Sequence, residues 1–166
     1  MERNKHEGHE EIEGHEEIEG HEEIEGHEEC SFTGPGVHVP SPLSHAAERV
    51  MHQTIGCAIA VHRALGPGFL ESIYRKAMCI ELDARGIRYE RERPVRVSYR
   101  GIEIPGQRVD LIIEGEIVVE LKAVVQLAEV HRSQLISYLR TTGLRGGLLI
   151  NFGVRVLKDG LKRVVL

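Results

Sequence analysis

Three charged residues stand inside apolar segments of the sequence, where charges are rare because a desolvated lone ion is costly. Asp110 lies in residues 109–113, and Glu120 and Lys122 lie in residues 117–124. Side chains at i and i+2 of a strand point to the same face, so Glu120 and Lys122 are expected to project together. If the two segments form a hairpin, Asp110 reaches the same place. Two carboxylates and one ammonium there are suited to phosphodiester hydrolysis with a divalent metal.

The chemistry of this group follows from its residue types. Asp110 and Glu120 offer the oxygen ligands that Mg²⁺ or Mn²⁺ prefers, and the backbone carbonyl of Leu121 can complete the protein's share of the coordination. The metal would polarise a phosphate and lower the pKa of a bound water, while Lys122 would position that water and stabilise the developing negative charge. The spacing alone often occurs by chance. A simple ion pair of Lys122 with either carboxylate is the alternative.

This trio resembles the PD-(D/E)xK nuclease signature, and Gln134 and Tyr138 resemble the Q-x-x-x-Y element of its exonuclease-type members. The two residues are four apart, so on a helix they share a face. The resemblance implies that Gln134 holds the water or the phosphate and that Tyr138 contacts the nucleic-acid backbone. The alternative is a surface Gln and a half-buried Tyr. His131, one turn earlier, lines the same groove or is structural.

Upstream, residues 68–74 read Gly-Phe-Leu-Glu-Ser-Ile-Tyr, a G-x-x-E-x-x-Y motif. Over residues 48–165 the chain resembles the GxxExxY family of small prokaryotic proteins, which is assigned to the PD-(D/E)xK superfamily. The resemblance implies a restriction-endonuclease-like αβββαβ core in which Glu71 is a further metal ligand and Tyr74 supports it or touches the phosphate. The alternative for Glu71 is an exposed ion pair with Arg75, four residues on.

The pattern of apolar residues and turns predicts the elements that must position these groups. Three helices are expected, after an N-cap at Ser44 and over residues 69–85 and 127–142. The second should bury Leu70, Ile73, Tyr74 and Ala77. The β-rich segments are residues 87–92, 95–99, 108–113, 117–124, 147–152 and 162–166, and Glu114-Gly115 is a strong two-residue hairpin signal. The predicted fold is α/β, as an α+β sandwich with a mixed central sheet flanked by helices.

The N-terminal part has a different composition. Residues 1–29 repeat the unit Gly-His-Glu-Glu-Ile-Glu and carry a net charge of −11, whereas residues 30–166 carry +6. We predict a disordered acidic tail over residues 1–29, a Pro/Gly linker over residues 30–43, and a domain over residues 44–166. The tail could instead chelate metals weakly, self-associate into a homo-oligomer, or fold back on the basic domain.

Composition also narrows the partners and the compartment. A basic domain is compatible with a nucleic-acid partner, although +6 is also ordinary for a domain of this size. The sequence has no long apolar segment and no secretory signal, and its three cysteines are read as reduced thiols, so we expect a cytoplasmic protein without a membrane partner. The expected function is a metal-dependent nuclease acting on DNA or RNA. The alternative is a catalytically silent scaffold or nucleic-acid-binding protein that keeps the nuclease fold.

Overall fold

The computed structural model describes residues 41–166, so the predicted tail and most of the predicted linker lie outside the described residues. In chain order the elements are α1 (His45–Leu65), α2 (Glu71–Ala84), β1 (Tyr89–Tyr99), β2 (Ile102–Ile113), β3 (Ile117–Lys122), α3 (Glu129–Thr142), β4 (Gly146–Asn151) and β5 (Leu161–Val165). A short 3₁₀ helix, Leu157–Gly160, precedes β5. Within residues 41–166 no helix combines the length and the apolar character that crossing a membrane requires.

Helix ends follow the capping residues in the sequence. The Ser44 hydroxyl accepts a hydrogen bond from the Ala47 N–H at 3.0 Å, which confirms the predicted N-cap of α1. Gly86, just past α2, and Gly143, just past α3, both have positive φ (66° and 74°). Glycine adopts this conformation without the steric penalty of a side chain, so both helices end where the chain can turn.

The sheet is mixed and has five strands in the order β1-β2-β3-β4-β5. Strands β3 and β4 are parallel, joined through α3, and the other neighbouring pairs are antiparallel. The β2–β3 turn uses Glu114 and Gly115, both at positive φ (51° and 70°), as the hairpin signal predicts. One face of the sheet packs against α1 and α2, and the other packs against α3. This architecture confirms the predicted fold class.

Strands β1 and β2 are longer than the sequence indicated. Pro94 does not divide β1, which runs unbroken from Tyr89 to Tyr99, because β1 is an edge strand and a missing N–H is tolerated there. β2 begins at Ile102 rather than at 108, and it carries Pro105 within the strand. The outcome is one long hairpin that extends beyond the three residues of β2 paired with β3.

The structure also differs from the sequence-based prediction in which residues form the core. Of the residues expected on the buried face of α2, Tyr74 is buried and Ala77 is partly buried, but Leu70 and Ile73 are exposed. The helix packs through Tyr74 and residues further along it. Leu43, which we assigned to the linker, is buried and contributes to the core. Cys57 and Cys79 are buried free thiols.

Candidate active site

The site forms where β2 and β3 separate. Their pairing runs from Ile113–Ile117 to Leu111–Val119, and beyond it β3 continues along β4 while β2 continues along β1. Asp110 is the next residue of β2, and its Oδ2 accepts a hydrogen bond from the Leu121 N–H at 2.9 Å. This hydrogen bond lies just beyond the last paired residues of β2 and β3. It fixes Asp110 against β3, the strand that carries the other site residues.

Glu120 and Lys122 project to the same side of β3, as their spacing predicts. The Lys122 Nζ lies 2.6 Å from the Glu120 Oε1, and both side chains are largely buried. The second oxygen of Glu120, Oε2, is different. Among the described residues it is the buried side-chain nitrogen or oxygen atom that lacks a hydrogen-bond partner. A buried oxygen without a partner is costly, and it is free to accept a ligand.

The surroundings of Glu120 oppose its ionisation. Burial, followed by the negative charge of Asp110, raises the pKa of Glu120 to about 7 even though Lys122 acts in the other direction. Burial alone would lower the pKa of Lys122, but its bond to Glu120 and the charges of Glu71 and Asp110 outweigh burial and raise it. The lysine therefore stays charged while the proton of Glu120 is exchangeable near neutral pH.

Arg75 on α2 is a site residue, although its sequence position suggested solely a partner for Glu71. Its guanidinium donates to the Asp110 Oδ1 at 2.7 Å and lies 3.9 Å from Glu92. Arg75 thus pairs with Asp110 and Glu92, and the expected alternative of a Glu71–Arg75 pair is wrong. Glu71, the first residue of α2, is half-buried, and its charge raises the pKa values of Glu120 and Lys122.

The carboxylates are neutralised by basic side chains rather than grouped with one another. Within residues 41–166 no three His, Cys, Asp or Glu side chains stand together in a group that could hold a metal ion. Asp110 pairs with Arg75, and Glu120 pairs with Lys122. The ligand set of Glu71, Asp110, Glu120 and the Leu121 carbonyl therefore stays a prediction.

Tyr74 supports the entry to α2 and does not face a substrate. It is fully buried, its ring stacks on Phe152 at 4.5 Å between centroids, and its hydroxyl donates to the Gly66 carbonyl at 2.7 Å. The same hydroxyl accepts from the Phe69 N–H at 3.1 Å. Tyr74 thus fixes the loop that leads to Glu71, and its predicted contact with a phosphate is excluded by burial.

On α3, Gln134 and Tyr138 form a hydrogen-bonded pair. The Gln134 Nε2 donates to the Tyr138 hydroxyl at 2.7 Å, and the charges of Glu120, Lys122 and Asp110 all act on the pKa of Tyr138. Burial raises that pKa, so the phenol keeps its proton. His131 caps the first turn of α3 by accepting from the Ala128 N–H at 3.1 Å, which is the structural role.

Asn151 fixes the chain just after Lys122. Its side chain is fully buried, accepts from the N–H groups of Val124 and Gly153 at 3.0 Å each, and donates to the Val124 carbonyl at 2.8 Å. This explains why β3 ends at Lys122 rather than at 124. A Cβ on Gly153 would clash with the Val124 carbonyl oxygen, so the two segments approach too closely for a larger residue.

The domain is thus α+β, and its mixed sheet places Asp110, Glu120 and Lys122 where β2 and β3 separate. The family model of the PD-(D/E)XK nuclease superfamily matches residues 48–164, which span most of the described domain. The chain therefore belongs to the PD-(D/E)XK nuclease superfamily, and its fold is restriction-endonuclease-like. Comparisons with curated proteins and with solved structures gave no match.

Proposed function

We propose that this protein is a divalent-metal-dependent nuclease that hydrolyses phosphodiester bonds in DNA or RNA. The observation that supports this most is Glu120, a buried carboxyl with one unpartnered oxygen beside a charged lysine. Burial of such a group costs stability, and strongly perturbed carboxyls are characteristic of functional sites. Within this proposal the chain is a GxxExxY-type member of the superfamily, and its buried free thiols are consistent with a reducing cytoplasm.

Glu120 and Asp110 offer the oxygen ligands that a hard divalent cation prefers. The free Oε2 of Glu120 is an available oxygen ligand, and Asp110 is held close by through Leu121. Glu71 and the Leu121 carbonyl are the further ligands that we assign to Mg²⁺ or Mn²⁺. When bound, the ion would polarise the scissile phosphate and lower the pKa of a water molecule.

The protein's own contribution is electrostatic. Lys122 keeps its charge in a partly buried position and is 2.6 Å from Glu120, so its ammonium is held in place rather than mobile. A fixed positive charge there would stabilise the negative charge that develops on the phosphate oxygens. In the role we assign, the buried Tyr138 hydroxyl accepts from the Gln134 Nε2 and holds this half-buried amide in place, and Gln134 contacts the water or the phosphate.

A cleavage assay tests this function. The full chain would be incubated with single- and double-stranded DNA and RNA in Mg²⁺, in Mn²⁺ and in chelator. We expect cleavage in either metal, none in chelator, and a loss of about 100-fold or more for Lys122→Ala and Glu120→Gln. Lys162→Ala, which removes an exposed lysine of β5, is the matched control and should cleave normally. Equal cleavage by all three variants would refute the proposal.

A catalytically silent protein that binds nucleic acid is the second candidate. It is favoured by the ion pair of Arg75 with Asp110, which occupies a carboxylate that a catalytic metal would need. In the same assay this candidate predicts binding of nucleic acid with no cleavage in any metal, and binding that Glu120→Gln leaves unchanged.

A further inference from the structure

The outer part of the β1–β2 hairpin concentrates positive charge. Residues 93–108, which we name the arm, contain four arginines and one glutamate, and these make up half of the net charge of +6 over residues 30–166. All five charged side chains belong to exposed residues: Arg93, Arg96, Arg100, Glu103 and Arg108. Glu103 lies 3.6 Å from Arg96, which leaves a net charge of +3 on the arm. An exposed surface with a net positive charge attracts a polyanion.

The arm is also a defined shape. Its strands pair from Arg93–Val109 to Tyr99–Ile102, and the turn at Arg100 and Gly101 has positive φ at both residues (52° and 79°), which matches the right-handed twist of a hairpin. Val95, buried against α3, anchors one strand. Arg100 lies over the Tyr99 ring at 5.6 Å, so even the tip has a preferred geometry.

The arm begins at the candidate site. The β1–β2 register pairs Arg91 with Leu111 and Arg93 with Val109, which places Glu92 opposite Asp110. From Asp110 to the tip, eight residues of strand span roughly 26 Å. That is comparable to about eight base pairs of a duplex.

We propose that the arm binds double-stranded nucleic acid and holds it across the site, an inference that rests on the proposed function. A two-stranded ribbon fits the major groove of B-form DNA, and its exposed arginines would contact the phosphates on either side. A single strand would need stacking platforms, and in the arm Tyr99 is the one aromatic residue. The duplex is therefore the substrate class that this surface fits.

The arm also carries apolar residues, which raises a second occupant. Tyr99, Ile102 and Ile104 are exposed. Their register places them on one face, since Tyr99 pairs with Ile102 and Val97 pairs with Ile104. A second protein chain could cover that face. We favour nucleic acid because the arm carries a net charge of +3 and because it is continuous with the site.

The test measures binding without cleavage. Fluorescence anisotropy of a labelled 20-base-pair duplex and of its single strand would be recorded in chelator over a series of salt concentrations. The arm variant is Arg96→Gln, Arg100→Gln and Arg108→Gln together. The control variant removes the same charge from exposed positions on α1, in the 3₁₀ helix and on β5, by Arg49→Gln, Lys158→Gln and Lys162→Gln.

The arm variant should bind the duplex about tenfold more weakly, and its salt dependence should be shallower by about two to three phosphate contacts. The control variant should stay within about twofold of the wild type, because its charges lie away from the arm. Equal losses in both variants, or tighter binding of the single strand, would overturn the proposal. Unchanged duplex binding by the arm variant would also overturn the proposal. If Ile102→Ser plus Ile104→Ser then dissociated a dimer, the exposed apolar face of the arm would be assigned to a second protein chain.

These outcomes separate the arm from the nuclease. If duplex binding depends on the arm but no cleavage occurs in Mg²⁺ or Mn²⁺, the proposed nuclease activity is refuted and the proposed role of the arm is supported. If the protein cleaves in a metal-dependent way but the arm variant binds the duplex normally, the proposed role of the arm is refuted and the nuclease activity is supported.

Discussion

At the scale of single residues, Glu120 is the group whose surroundings are least compatible with its charge. The folded protein raises its pKa from 4.5 to about 7, so it binds this proton more tightly than the unfolded chain does. The resulting stabilisation is fully present below pH 4.5 and is lost as the pH rises through 7. Its size is on the order of 3 kcal/mol.

This difference predicts a pH-dependent stability that one substitution removes. In chelator, the free energy of unfolding of the wild type should fall between pH 5 and pH 8 relative to that of Glu120→Gln, which has no proton to lose. Urea unfolding at both pH values measures it. Parallel pH profiles for the two proteins would show that Glu120 titrates normally.

Arg75 predicts an exchange of cations at Asp110. The guanidinium and a divalent ion would both bind this carboxylate, so Arg75→Gln should tighten Mn²⁺ binding several-fold while lowering stability by about 1–3 kcal/mol. Calorimetric titration with Mn²⁺ measures the affinity. Arg88→Gln, which breaks the exposed pair with Glu114, is the control and should change neither quantity appreciably. Unchanged or weaker Mn²⁺ binding in Arg75→Gln would contradict the competition.

The site residues differ in how far the sequence revealed them. Asp110, Glu120 and Lys122 were found because charges stand out within apolar strands, and period-two alternation placed two of them together. Arg75 was not found because an exposed-looking arginine on a helix has no such contrast. A signal existed in its position one turn after Glu71, but the partner it selects depends on how α2 packs on the sheet.

At the scale of elements, the sequence predicted the fold well wherever turn chemistry was local. Helix caps and the Glu114-Gly115 hairpin depend on neighbouring residues, and the structure confirms them. The full lengths of β1 and β2 depend on tertiary position instead. Pro94 by itself predicts a break in the strand. A continuous β1 is expected only once it is known to lie at the edge of the sheet, where a missing N–H is tolerated.

The hydrogen bonds of Asn151 just after the end of β3 predict that this residue stabilises the fold. Replacing this buried amide by alanine would leave the N–H and carbonyl of Val124 without their partners. Asn151→Ala should therefore lower the free energy of unfolding by about 2 kcal/mol, which urea unfolding would detect. A stability within 0.5 kcal/mol of the wild type, taken as about the usual scatter of surface changes, would show that this anchor is unimportant.

At the scale of the whole molecule, the charges of the two sequence regions oppose each other. Residues 1–29 carry −11 and residues 30–166 carry +6. We predict that the acidic residues compete with nucleic acid for the basic domain at low salt. Because Leu43 is part of the core, the deletion that tests this removes residues 1–40 and leaves the domain intact.

The deletion should tighten duplex binding at about 50 mM salt and have little effect at high salt, where exposed charges are screened. Anisotropy measures the affinity, and sedimentation velocity measures the particle size of both proteins. A smaller particle with unchanged affinity would instead assign the repeats to self-association. Identical affinity and size would leave residues 1–40 with neither role.

The position of a bound cation tests the proposed metal site. Crystals grown with Mn²⁺ would show it by anomalous scattering. We predict one peak about 2.1 Å from carboxylate oxygens of Asp110 and Glu120, with Arg75 displaced from Asp110. A crystal in excess Mn²⁺ that keeps the Arg75–Asp110 and Lys122–Glu120 pairs, with no peak between the two carboxylates, would contradict the proposed metal site.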